Sequence, residues 1–203
     1  MKPNSDVIKA AVASYWRYTR QCPLVAFECS TKLKSWGGEL ADVVAVTEGQ
    51  QLIVVEVKIS IADFRRDGKK NQHAQFRHDT GILPVTYFYF AVPSDLANKV
   101  SYLCDQLYPY AGVLRCKLPS EFDMEVSEFD VEVSRSPKTL HPKTLYVGQL
   151  TKEQITFITR TQTATLCRLA KKVVEVNRVR RKLEVELKEY RDMEALKAGS
   201  SEG

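Results

Sequence analysis

Two β-branched runs flank a short polar gap near residue 49. Val43–Val46 and Leu52–Val57 are of strand length, and Thr47-Glu48-Gly49-Gln50-Gln51 between them carries a turn glycine, so the pattern predicts a β-hairpin. Upstream, Val7, Ile8, Ala11, Val12, Tyr15 and Trp16 recur at helical spacing behind Ser5, a candidate N-cap, and Cys22-Pro23 ends that helix. Leu24–Cys29 predicts a first strand. Downstream, Ser60 or Asp63 caps a helix through Asp67, Gly68 interrupts it, and a second piece runs from Lys69 to Arg77. Val85–Val92 is a β-prone run closed by Pro93, Ser94 caps a helix to Leu107, and Ala111–Lys117 is a last central strand. The order helix-strand-strand-strand-helix-strand-helix-strand predicts a mixed α/β sheet with helices on both faces.

Beyond residue 118 the pattern weakens. Glu121, Asp123, Glu125, Glu128, Asp130 and Glu132 make the next stretch acidic, Val126–Val133 alternates like an edge strand, and Pro137 and Pro142 mark a loop. Thr151 with Gln154 reads as a capping box opening a long helical region to Lys197. Within it Val179, Leu183, Leu187 and Tyr190 form a narrow apolar stripe among Arg, Lys and Glu, the pattern of a partner-helix seam, though two heptads are too few to assert a coiled coil. The expected division is a core over 1–118, an irregular segment over 119–150, a helical extension over 151–197 for oligomerisation or partner binding, and a disordered tail over 198–203.

Three charges interrupt the hairpin's apolar pattern: Asp42, Glu56 and Lys58. An unpaired charge in a buried strand is costly, so the three either pair or bind something. A three-residue loop at Glu48-Gly49-Gln50 would set Thr47 opposite Gln51, Val44 opposite Val54 and Asp42 opposite Glu56, with Lys58 on the same face. Opposed Cβ atoms lie about 4.5–5.5 Å apart, close enough for two carboxylates to hold one cation. A two-residue loop would put Asp42 and Glu56 on opposite faces. Paired carboxylates of this kind select a hard ion, Mg²⁺ or Mn²⁺, with the backbone carbonyl of Val57 a candidate further ligand. Such an ion polarises a phosphodiester and acidifies a bound water, while Lys58 holds that water or stabilises the charged phosphate. The alternative is an ion pair at the wet end of an exposed strand.

Composition narrows the setting. The 203 residues are 44% hydrophobic and 27% charged, as in an ordinary globular protein with one good core and an appendage. No apolar run nears the roughly 20 residues of a membrane span, and no signal-peptide core is seen, so no membrane partner is expected. The five cysteines are scattered without a Cys-x-x-Cys, which fits reduced thiols in a cytoplasm. A net charge of +5 permits nucleic acid without requiring it. Arg65, Arg66, Lys69, Lys70 and Arg77 cluster after the charged hairpin, where a DNA backbone would need countercharge. Trp36, beside two glycines, is a candidate for base stacking.

These residues resemble a known superfamily. Asp42…Glu56-x-Lys58 between apolar strands is similar to the PD-(D/E)XK nucleases, whose restriction-endonuclease-like core is a mixed central sheet flanked by helices. The nearer resemblance is to the MmcB-like bacterial DNA repair proteins. It lies in Ala41-Asp42-Val43-Val44-Ala45, Ile53–Lys58, Ser60–Lys69, Tyr89–Pro93 and Gly112-Val113-Leu114, covering residues 20–117. The resemblance implies that Asp42 and Glu56 bind the metal, that Lys58 assists catalysis, and that Glu28 is an additional acidic ligand. It also implies that Gln72 and His73 sit near the scissile phosphate, and that the source is a bacterium or a phage, with the protein in the bacterial or host cytoplasm. The stretch 70–87 and the C-terminal helical region depart from the pattern.

The reading is therefore a metal-dependent DNA nuclease acting in repair or in bacterial or phage DNA processing. Its rival is a catalytically silent nuclease-fold module that binds DNA or recruits partners through 151–197. A weaker rival is a structural protein whose three charges form a surface ion pair.

Overall fold

The computed structural model describes residues 4–30, 40–77, 85–117, 130–140 and 150–199. It resolves into two compact units, Met1–Gln162 and Thr163–Gly203.

The first unit is built on a six-stranded sheet in which spatial order follows chain order. Its strands are β1 (Leu24–Ser30), β2 (Leu40–Val46), β3 (Leu52–Val57), β4 (Val85–Pro93), β5 (Gly112–Lys117) and β6 (Asp130–Arg135). β1 to β3 form an antiparallel meander, β3 to β5 run parallel, and β6 returns antiparallel at the edge. Every residue of β3 is buried, as expected of a strand covered on both faces. The described part of the acidic alternating segment, β6, is the edge strand expected there.

Two separate cores lie on the two faces. On one face α1 (Ser5–Ser14) and its continuation Tyr15–Thr19 press Ile8, Ala11, Val12 and Trp16 onto Val43, Val55, Ala91 and Leu114. The continuation widens to a π-type turn in which Arg20 N–H donates to Tyr15 O at 2.9 Å. Trp16 meets the ring of Tyr89 edge-on at 5.5 Å. The opposite face carries α2 (Ile61–Arg66), a 3₁₀ turn (Asp67–Lys69), α3 (Asn71–Arg77) and α4 (Ala97–Leu107). Phe64, Phe76, Phe88, Phe90, Tyr108 and Tyr110 fill that side. The α/β architecture with helices on both faces matches the expected order of elements.

Local signals were met unevenly. Ser60 Oγ accepts from Asp63 N–H at 3.1 Å and caps α2, and Gly68 sits in the 3₁₀ break before α3. The capping box is complete: Thr151 N–H donates to Gln154 Oε1 at 2.7 Å, and Gln154 N–H to Thr151 Oγ1 at 3.3 Å. It opens α5 (Lys152–Gly199). At α1 the cap is Asn4, whose Oδ1 accepts from Asp6 N–H at 2.9 Å, and not Ser5, which is already helical. Ser94 does not cap α4 by its side chain: backbone turns from Pro93 and Ser94 lead into a helix that begins at Ala97.

The expected boundary at residue 151 moves to 162. The first turns of α5 belong to the sheet unit, where Leu150 and Ile158 are buried and Ile155 and Phe157 pack against the same core. The helix continues through Gly199, so residues 198 and 199 are not part of a disordered tail, and 200–203 lie outside the described residues.

Two outcomes test this packing. A chain ending at Gln162 keeps the cooperative urea transition of the sheet unit, whereas one ending at Leu150 loses that cooperativity. Gly112→Ala sets a Cβ 2.5 Å from the Tyr89 ring and 3.0 Å from Arg135 O, so it lowers unfolding free energy by about 1–3 kcal/mol in urea titrations.

Candidate functional site

The hairpin adopts the three-residue loop. Val46 pairs with Leu52, Ala45 with Ile53, Val44 with Val54 and Val43 with Val55. Thr47 N–H donates to Gln51 O at 3.1 Å, and Gln50 takes a left-handed φ of 60° to close the turn. The pairing then stops one residue short of Asp42 and Glu56. Ala41 lies in the core on the α2 side of the sheet and Val43 in the core on the α1 side, so the alternation of side chains slips across Asp42. Glu28, beside it on β1, has a left-handed φ of 46°, the mark of a bulge.

At this slip the Asp42 carboxylate takes over from the backbone ladder. Its Oδ2 accepts from Val57 N–H at 2.8 Å, and its Oδ1 lies 3.2 Å from Lys9 Nζ of α1. Glu28 Oε1 is 3.3 Å from the same ammonium. Glu28 and Asp42 thus share Lys9, a residue whose i,i+1 relation to buried Ile8 gave no functional signal in the sequence.

Glu56 occupies a different environment. It is 1% exposed at the end of β3, with Oε2 3.2 Å from Lys58 Nζ and 2.6 Å from Lys70 Nζ. Gln72 Nε2 donates to its Oε1 at 3.4 Å. Burial raises the Glu56 carboxyl above its ordinary range, the ammonium groups of Lys58 and Lys70 oppose that rise, and the nearby charges of Asp67 and Asp42 add to it. Burial alone would pull Lys58 down, but the carboxylates of Glu56 and Asp67 outweigh it and hold the ammonium above its ordinary value. The same balance raises Lys70.

Asp67 ties the group together. Its Oδ1 lies 2.6 Å from Lys58 Nζ and 3.2 Å from Lys70 Nζ, and its Oδ2 2.5 Å from His73 Nε2. Burial works against its charge, yet the His73 hydrogen bond and the two lysines hold its carboxyl well below the usual range. Because Asp67 is ionised, His73 Nε2–H is the donor to it, while Nδ1 meets Tyr110 Oη at 2.6 Å. Phe88, Phe90 and Tyr108 surround the imidazole.

The sequence expectations sort accordingly. Asp42, Glu56 and Lys58 converge around Val57, but through different partners: Asp42 is turned to Lys9, and Glu56 to Lys58 and Lys70. Glu28 joins Asp42 at Lys9 and not Glu56. Gln72 and His73 are buried members of the network and present no surface to DNA. Lys70 spends its charge on Glu56 and Asp67 rather than standing free for phosphate. Asp67, which the sequence places only at the end of a helix, pairs with Lys58, Lys70 and His73. Arg65, Arg66 and Lys69 are exposed, as a backbone-binding surface requires. Trp36 and the side chain of Arg77 lie outside the described residues. Tyr110 gave no sequence signal for its place here, since its partner His73 is 37 positions away. Among the described residues no cluster of three or more His, Cys, Asp or Glu is arranged to hold a metal, and no helix is long and apolar enough to cross a membrane.

No family model matches the sequence, and no curated protein matches it. Among solved structures the chain is similar to the SPO1766 protein of unknown function from Silicibacter pomeroyi, at 15% identity and a TM-score of 0.53, over 84% of this chain and 91% of that one. The likeness is one of fold: a six-stranded mixed sheet flanked by helices.

The Asp67 network carries a pH signature. Its depressed carboxyl contributes stability that is fully present above the ordinary value of 3.8 and drains away as the pH falls below it. Asp67→Asn leaves Lys58 and Lys70 short of a countercharge and costs about 3–5 kcal/mol at pH 7. In urea titrations the gap between wild type and Asp67→Asn narrows once the pH drops below 3.8.

Proposed function

We propose that this chain is a metal-dependent deoxyribonuclease of the PD-(D/E)XK type on a restriction-endonuclease-like core, hydrolysing DNA phosphodiesters with Mg²⁺ or Mn²⁺. One observation carries the reading: Glu56 and Lys58, buried at the end of the central strand, flank Val57, whose N–H is held by Asp42 from the neighbouring strand. The donor chemistry fits a hard dication. Two carboxylates on adjoining strands lie close enough for the charge of Asp42 to raise the Glu56 carboxyl, and ammonium groups already collect on both. Asp42, Glu56 and the Val57 carbonyl would hold the ion, with Glu28, which pairs with the same Lys9 as Asp42, the additional acidic ligand that the resemblance implies.

When bound, the ion would polarise the scissile phosphodiester and lower the pKa of a water. The carboxylates of Glu56 and Asp67 favour the charged form of Lys58, which suits it to orient that water and stabilise charge on the phosphate. Glu56 and Asp67 fix where its ammonium points. Arg65, Arg66 and Lys69 supply countercharge to the DNA backbone. The resemblance to MmcB-like proteins directs the activity toward DNA repair or bacterial or phage DNA processing.

A second reading is favoured by a specific feature. Glu56 and Asp67 are balanced one for one by Lys58 and Lys70, so the buried group is electroneutral with no metal. A fold kept for binding DNA or recruiting partners would tolerate such a closed network.

Plasmid and single-stranded DNA incubated with Mg²⁺, Mn²⁺ or EDTA separate the two. The nuclease reading expects cleavage in a metal and none in EDTA, with Glu56→Gln and Lys58→Met each slowing it at least about 10²-fold while circular dichroism stays native. DNA binding without cleavage in either metal establishes the silent module instead.

A further inference from the structure

Within the second compact unit residues 163–199 are a continuous stretch of α5, and the large apolar side chains described there, Leu166 to Tyr190, lie open to solvent. The stripe is longer than the four residues visible in the sequence. Leu166, Val173, Arg180 and Leu187 repeat every seven residues on one row, and Leu169, Val176, Leu183 and Tyr190 on the next. The rows alternate by three and four, the a and d positions of a heptad repeat sustained over 166–190. The seven apolar members are each 44–64% exposed. A helix of this kind gains little from burial by itself, and isolated helices are marginal in water.

The chemistry of the seam selects its occupant. We propose that it pairs with the same seam of a second copy of this chain, as a parallel two-stranded coiled coil in register. Apart from Arg180 and Tyr190 both rows are aliphatic, Leu166, Val173 and Leu187 on one and Leu169, Val176 and Leu183 on the other, as the a and d layers of a helix pair require. The row's one charge, Arg180, meets its own counterpart only when the copies are in register, and Glu184 at 2.9 Å on the same helix neutralises it. That polar layer weakens the pair while fixing its alignment. On the flanks, Glu186 faces Arg191 of the second copy, Lys172 faces Asn177 and Val179 faces Glu184, so no like charges oppose. A second copy supplies both the matching Arg180 layer and the Arg191 that answers Glu186.

Sedimentation equilibrium on the full chain tests the pairing. At tens of micromolar the wild type should show twice the chain mass, and a variant with Leu183→Glu and Leu187→Glu should show the chain mass, with the near-ultraviolet dichroism of the sheet unit unchanged. Glu186→Arg should raise the dissociation constant several-fold, and adding Arg191→Glu should return it toward the wild-type value. A wild-type monomer, or a dimer that survives the two glutamates, overturns the proposal. A charge reversal that is not rescued by its counterpart overturns the parallel register.

Discussion

A carboxylate inside a sheet cannot stay ionised without cations to hold it, and Glu56 organises much of the structure around that requirement. It draws Lys58 from its own strand and Lys70 from the turn before α3. Two ammonium groups in one pocket then need a second carboxylate, which Asp67 supplies from the 3₁₀ turn. Asp67 in turn orders His73, and His73 reaches Tyr110 ahead of β5. A chain of ion pairs and hydrogen bonds thus links β3 to α3 and to the loop entering β5. The break at Gly68 has a packing reason as well: a Cβ there would stand 2.9 Å from Tyr108 Oη.

Much of the fold could be read from residues near one another in the chain. β-branched runs, the Gly49 turn, the Ser60 cap and the Thr151–Gln154 box each act within a few positions, and each formed as expected. The hairpin register was legible for the same reason, because loop length sets it. The misses are of another kind. Asn4 took the cap from Ser5 by one position, and Ser94 yielded to a backbone turn. The burial of His73 has no local signal because the aromatic residues that enclose it come from β4 and the stretch before β5. Lys9 stayed invisible because its carboxylate partners are 19 and 33 positions away, brought near by a bulge that no local pattern announces.

The two compact units meet different physical demands. The sheet unit buries charge and must balance it internally, which makes its polar groups interdependent. Among the described side chains from Leu166 to Arg191 the charges are solvated and the large apolar groups are exposed, so the unsatisfied quantity there is hydrophobic surface. The heptad pattern was read too short in the sequence because Arg180 interrupts it, leaving the earlier Leu166–Val176 portion outside the stripe.

Asp42 performs two tasks that most strand residues never combine. One oxygen replaces the missing ladder acceptor for Val57 N–H, while the other faces an ammonium. An asparagine carbonyl can do the first and carries no charge for the second. Architecture and electrostatics are therefore divisible at this single position, and the parted strands can retain their shape while the local field is rewritten.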